Sequence, residues 1–374
     1  MNNTELNKKN VLIMAGGTGG HVFPALAVAR LLHEKGAHIF WLGTEKGIES
    51  RVIPQEQFID LRYLSVSGLR GQGLKRLLLA PFKLILACWQ AARTLQDVKP
   101  NLVLGMGGFA SGPGGLMAWL MGYPLVVHEQ NAVPGFTNRV LSKFAQRVLQ
   151  AFPGTFIDTT SEKFRVTGNP VRQDITQLAE PEARFKKRSA QQEINILILG
   201  GSQGAVALNE LVPQALAKIV DTSSDCSRLL NIRHQAGRNK DAATTSLYET
   251  LEIEARVEPF ISDMGNAYAW ADLVVSRSGA LTVSEIQQAG VGVVFIPYPA
   301  AVDDHQTKNA RFLQKEGAAT VLQQKELNVE QLSSTINSLL DREKLKSMAQ
   351  AAKDSAPANA TETVVNVCLE VTRA

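Results

Sequence analysis

Four glycines flank a threonine and precede a histidine in Gly16-Gly17-Thr18-Gly19-Gly20-His21, within the stretch Val11–Leu32. Glycines at a turn let the backbone approach a ligand closely, and the N–H groups at the start of a helix favour negative charge. A phosphate or a developing oxyanion suits this loop, and His21 at its tip is the leading candidate for a general base. The spacing matches neither nucleotide fingerprint. The third glycine of the dinucleotide pattern is missing, and no Gly-Lys-Ser/Thr follows. A merely structural strand-to-helix turn is the alternative reading.

Other clusters point the same way. Leu104–Gly115 is a further glycine loop, and paired with the first it suits an acceptor that carries a diphosphate. His128, Glu129, Gln130 and Asn131 stand together just past an aliphatic run, either as a site or as turn and cap residues. Ser278-Gly279-Ala280 opens a helix from about Leu281 whose N–H groups suit a second diphosphate. One turn inside it, Glu285 can accept hydrogen bonds from both hydroxyls of a ribose, or it simply complements the helix dipole. Asp303, Asp304, His305, Gln306 and Asn309 fall within seven residues. They read as a sugar-hydroxyl site rather than a metal site, because no Asp-x-Asp pair is present. The chemistry is group transfer from an activated donor, with backbone donors and helix dipoles, not a metal, stabilising the leaving diphosphate.

Strands and helices must hold these groups. Val11–Met14 is a short apolar run before the first loop, and helical spacing follows Pro24 through Leu32. The same device returns in Ile194–Leu216, where Gly200-Gly201-Ser202 stands 184 residues after Gly16-Gly17-Thr18. Self-similarity at half the chain length predicts two related α/β domains. Further strands are predicted at His38–Leu42, Leu102–Leu104, Leu125–His128 and Val148–Ala151, then at Asn231–Gln235, Arg256–Glu258, Leu273–Ser276 and Val293–Ile296. Short strands alternating with helices imply doubly wound parallel sheets, which bind ligands at the strands' carboxyl ends. The hinge is expected near Gly168–Pro170, and the last helix, from about Ala358 to Arg373, could pack on either domain.

At 374 residues the chain exceeds the usual single-core size, and 45% hydrophobic with 20% charged residues is an ordinary globular composition. A net charge of +4 fits an anionic partner such as a phosphorylated substrate or a lipid surface, with no specific sign of nucleic acid. Cys88, Cys226 and Cys368 form no CxxC pair and read as reduced thiols. The polar start, MNNTELNKKN, has no apolar core, so a cytoplasmic protein is expected. Asn101–Val127 carries no charge but holds seven glycines, Pro113 and Pro124, and reads as loop, helix and strand rather than as a membrane span.

AGGTGGHVFPALAVA, GMGGFASGPGG, HEQN, GNPVR, GGSQGA and RSGALTVSE followed by DDHQTKNA occur in this order between Val11 and Ala310. Together they resemble glycosyltransferase family 28, in its MurG branch of N-acetylglucosaminyltransferases. The resemblance implies the GT-B fold, with two Rossmann-like doubly wound domains facing an interdomain cleft, and an inverting transfer without metal or bound cofactor. It implies UDP-N-acetylglucosamine as donor and lipid I, undecaprenyl-diphospho-muramoylpentapeptide, as acceptor. The domains are drawn as 1–168 with 357–374, binding acceptor and membrane, and 169–356, binding the nucleotide sugar. Arg172 and Ser202, with Gln203 and the main chain near Ile261, would meet the uracil side, and Glu285 the ribose. Ala280, Leu281, Thr282, Asn131, Gln306 and His305 would meet the diphosphate and the sugar. Thr18, Gly19, Gly20, Gly107 and Gly108 would hold the acceptor, with His21 and Glu129 catalytic.

Such an acceptor stays in the bilayer, which gives meaning to Gly73–Leu95. Leu79, Phe82 and Trp89 there are interleaved with Lys83 and Arg93, a composition suited to an anionic membrane surface, with Trp119 close by. A buried helix pair with solvated lysines is the alternative. The resemblance thus implies a peripheral enzyme on the cytoplasmic face of the inner membrane, with wall-synthesis and division proteins as candidate partners. A UDP-N-acetylglucosamine epimerase and a non-enzymatic UDP-sugar sensor remain the rival readings.

Overall fold

The computed structural model describes residues 9–65, 80–156, 161–188, 193–201, 204–222 and 230–373. Leu79, Ser202 and Gln203 lie outside the described residues. The chain forms two compact units, Met1–Arg172 with Pro357–Ala374, and Gln173–Ala356.

The first unit is built on seven strands: β1 (Asn10–Met14), β2 (His38–Thr44), β3 (Ile59–Leu64), β4 (Leu102–Gly105), β5 (Leu125–Glu129), β6 (Arg147–Gln150) and β7 (Phe164–Val166). They pair in the order β3-β2-β1-β4-β5-β6-β7, every neighbour parallel. Successive side chains of a strand face opposite sides of its sheet, and both sides are covered here, so β1 is apolar throughout. Val11 and Ile13 join a core with the helix Gly19–Glu34, while Leu12 and Met14 join a second core with Ala91 and Leu95 of the helix Ala80–Val98.

The C-terminal helix Ala360–Arg373 belongs to this unit. It buries Val364, Val365, Cys368 and Val371 in the core of the helix Gly19–Glu34. Lys9 Nζ donates to the Thr372 carbonyl at 2.6 Å, and Arg165 pairs with Glu370 at 2.8 Å.

The second unit repeats the plan with β8 (Ile194–Leu199), β9 (Leu230–Gln235), β10 (Arg256–Glu258), β11 (Leu273–Ser276), β12 (Gly292–Phe295) and β13 (Ala319–Val321). Their order is β10-β9-β8-β11-β12-β13, again all parallel. In both sheets the strand order reverses beside the first strand, between β1 and β4 and between β8 and β11. Doubly wound sheets bind ligands at that point, and each glycine loop falls there. The uncharged stretch 101–127 is β4, a loop, the helix Ser111–Leu120 and the start of β5. Among the described residues no helix is long and apolar enough to cross a membrane.

Candidate active site

In the first unit the glycine loops after β1 and β4 press against each other. Met106 N–H donates to the Met14 carbonyl at 2.8 Å. Ser111 Oγ, fully buried, lies 2.9 Å from the Met14 carbonyl oxygen and 2.8 Å from that of Gly107. Gly108 has φ +85°, and a Cβ there would strike the Gly16 backbone, so only glycine lets the loops come this close. A Cβ on Gly107 would stand 2.8 Å from Cδ2 and 3.0 Å from Nε2 of His21. The edge of the imidazole that bears Nε2 therefore lies along the second loop. On the other edge, Nδ1 is 3.3 Å from the Gly16 carbonyl. Thr18 is the exposed N-cap of the helix that carries Gly19, Gly20 and His21, and its Oγ1 is 3.5 Å from Nδ1.

The quartet after β5 divides in two. His128 is buried and bonds the Gly168 carbonyl through Nε2 at 3.0 Å, and burial pulls its pKa down to about 4. Gln130 Nε2 donates to the Met106 carbonyl at 2.8 Å, tying β5 to the second glycine loop. Glu129 accepts from Asn131 N–H at 2.9 Å and Asn131 Nδ2 at 3.1 Å through one oxygen. Its other oxygen accepts from Gly135 N–H at 3.0 Å and Asn138 Nδ2 at 2.8 Å. A carboxylate holding these four donors organises the loop 130–138 and orients Asn131. Arg172 also belongs to this unit, its guanidinium 5.6 Å from the centre of the Phe23 ring.

In the second unit the helix Ala280–Ala289 starts directly after β11. Its N-cap is Gly279, and the first bond of the ladder runs from Val283 N–H to the Gly279 carbonyl at 3.0 Å. The N–H groups of Ala280, Leu281 and Thr282 thus form the open first turn, which is the standard cradle for a phosphate. Glu285 is buried one turn further in, and its Oε2 accepts from the Tyr268 hydroxyl at 3.1 Å. Asn309, fully buried in the helix His305–Lys315, donates to the Ser278 carbonyl at 3.2 Å and ties that helix to the same turn. Gln306 Oε1 accepts from Tyr298 N–H at 2.9 Å, and His305 Nδ1 bonds the Val302 carbonyl at 2.7 Å. Ile261 is buried in the loop after β10.

Three groups at these loops were not foreseen: Ser111, which bonds to both loop backbones; Tyr268, which holds Glu285; and Glu49, whose carboxylate accepts the Gly17 N–H at 2.9 Å. Each makes a contact through the fold, Ser111 to Met14, Tyr268 to Glu285 and Glu49 to Gly17, that no local spacing signals.

Residues 11–150 match the glycosyltransferase family 28 N-terminal domain and residues 195–364 the family's C-terminal domain. A protein of Marinobacter nauticus is 48% identical over 98% of this chain and 99% of its own length, and one of Cellvibrio japonicus is 50% identical over 97% and 98%. Both are named UDP-N-acetylglucosamine–N-acetylmuramyl-(pentapeptide) pyrophosphoryl-undecaprenol N-acetylglucosamine transferase. The crystal structure of Acinetobacter baumannii MurG superposes with a TM-score of 0.80 at 42% identity, covering 97% of this chain and 99% of that one. The chain belongs to glycosyltransferase family 28, in its MurG branch.

Proposed function

We infer that this chain transfers N-acetylglucosamine from UDP-N-acetylglucosamine to the muramoyl 4-hydroxyl of lipid I, giving lipid II and UDP in peptidoglycan synthesis. The observation that carries the inference is identity of about half the residues, over nearly the whole length, with transferases named for that donor and acceptor. The first unit's paired glycine loops serve the acceptor. Thr18, Gly19, Gly20, Gly107 and Gly108 hold its diphosphate, and His21 Nε2 takes the proton of the attacking hydroxyl. The bond from the anomeric carbon to the acceptor oxygen forms on the face opposite the breaking bond to phosphate, whose electron pair leaves with UDP.

The open first turn Ala280-Leu281-Thr282 meets the leaving diphosphate, where fixed N–H dipoles oppose the charge that develops. Glu285, steadied by Tyr268, takes the ribose hydroxyls. In the second unit Ser202, Gln203 and Ile261 serve the uracil and His305 and Gln306 the sugar, while Arg172 and Asn131 are the first unit's donor-side residues. The enzyme works as a peripheral protein on the cytoplasmic face of the inner membrane, and the exposed apolar residues of the helix Ala80–Val98 support that placement.

The test is transfer of labelled N-acetylglucosamine from UDP to a short-chain lipid I analogue with excess EDTA present. A β-1,4-linked product establishes donor, acceptor and independence of added metal together. UDP binding without any product overturns the transfer reading in favour of a sensor, and turnover of the UDP-sugar alone would mark an epimerase.

A further inference from the structure

Beneath the first glycine loop lies a carboxylate that none of the roles above employs. Glu49 is fully buried at the start of the short helix Glu49–Val52. Its side chain fills room left by Gly16, Gly43 and Gly47, since a Cβ on any of the three would strike it. Oε1 accepts from Thr44 N–H and Thr44 Oγ1, each at 2.8 Å, and Oε2 accepts from Gly17 N–H at 2.9 Å.

The Gly17 N–H and the Gly16 carbonyl are the two ends of one peptide group, and that carbonyl oxygen lies 3.3 Å from His21 Nδ1. A carbonyl can only accept, so this contact assigns the Nδ1 proton and leaves the neutral ring's lone pair on Nε2. Carboxylate, peptide and imidazole therefore stand in series, and hydrogen bonds in series polarise one another.

We propose that Glu49 is a positioning residue for His21: its charge, acting through the Gly16–Gly17 peptide, holds the Nδ1–H tautomer and raises the basicity of Nε2. The arrangement is that of the carboxylate in an acid–base triad with a peptide interposed. No proton passes to Glu49 or across the peptide; the acceptor's proton ends on Nε2. The proposal rests on the reading of His21 as the base.

The experiment is a double-mutant cycle in the full chain, comparing Glu49→Gln, His21→Ala and the pair by kcat and by KM for UDP-N-acetylglucosamine. Nitrogen-15 spectra of the His21 ring accompany it. Glu49→Gln is expected to lower kcat about 10- to 100-fold, as loss of an orienting partner commonly does. It should leave the donor KM unchanged, cost nothing further in the His21→Ala background, and shift the ring towards the Nε2–H tautomer. Additive losses, or an unmoved tautomer, overturn the proposal and leave Glu49 as loop packing. If melting curves show that Glu49→Gln does not fold, the wild-type spectra decide, because an Nε2–H tautomer there excludes the relay. Normal turnover of His21→Ala is a separate result, which removes the base assignment itself and the proposal with it.

Discussion

At the scale of the residue, the groups proposed to act are held by groups that the fold brings to them. His21 Nδ1 lies 3.3 Å from the Gly16 carbonyl, and the opposite edge of the ring fills the room that a Cβ on Gly107 would take. His21→Ala is expected to lower kcat roughly 100- to 10,000-fold, the usual worth of a positioned base, while UDP binding measured by calorimetry is unchanged. Gly108→Ala makes a sharper demand, since it adds a Cβ against the Gly16 backbone at a φ of +85°. The two loops must then separate. Displacement on the ångström scale costs on the order of 100-fold in turnover. The loss should appear in kcat/KM for the lipid acceptor, with the donor's dissociation constant unmoved; a donor-side loss instead would sever these loops from the acceptor. The glycine loops and His21 were legible in the sequence because glycine clusters and a lone histidine are rare in such company. Glu49, Ser111 and Tyr268 were not. What makes each matter is a contact made through the fold, 32 residues away for Glu49 and Gly17 and 97 for Ser111 and Met14.

At the scale of the element, the helix Ala280–Ala289 is held at both ends. Its N-terminus is the proposed phosphate cradle, and its C-terminal carbonyls are met by a buried arginine. Arg184 donates to the Ala289 carbonyl at 2.6 Å, to the Gly290 carbonyl, and to the Tyr268 carbonyl at 3.2 Å. Burial pulls its guanidinium down to about 10, helped by the neighbouring charge of Arg188, but it stays a cation at neutral pH and complements the helix dipole. Arg184→Met leaves three carbonyls without that donor. It should cost about 3 kcal/mol, seen as a fall of roughly 6–12 °C in the melting of the second unit, with weaker UDP binding. An unchanged melting point would show that water replaces the guanidinium at no cost. Interior strands were readable because runs such as Leu125–Val127 are buried on both faces. β3, β7 and β13, three of the four edge strands, went unread and only the edge strand β10 was read; Ile59–Leu64 buries just its two ends, with Asp60, Arg62 and Tyr63 exposed between them. Edge strands need less apolar surface, which weakens the very pattern that betrays interior ones.

At the scale of the whole molecule, both units carry a buried neutral histidine. His128 in the first has its pKa pulled down to about 4, and His234 in the second to about 3, each mainly by burial. The unfolded chain binds these protons near pH 6.5 and the folded chain does not, so stability is complete above that value and falls as pH drops towards 4. Each histidine contributes on the order of 3 kcal/mol over that window, and denaturant midpoints measured from pH 7 to pH 4 should fall monotonically. The first unit also shows the helix Ala80–Val98 to solvent along one face. Phe82 is 70% exposed, Ile85 67% and Trp89 57%, whereas Ala87, Ala91, Leu95 and Val98 face the core. Trp119 is exposed on the neighbouring helix, with Lys83 and Arg93 beside the apolar face. Apolar side chains that enter a headgroup boundary gain about 1.5–3 kcal/mol each, and flanking cations add attraction to anionic lipid. Phe82→Glu with Ile85→Glu should therefore weaken binding to anionic vesicles at least about tenfold. Donor binding, proposed for the second unit, should not change, and turnover of a water-soluble lipid I analogue should survive. If vesicle binding also survives, this face is not the membrane contact, and the attraction must come from residues outside it.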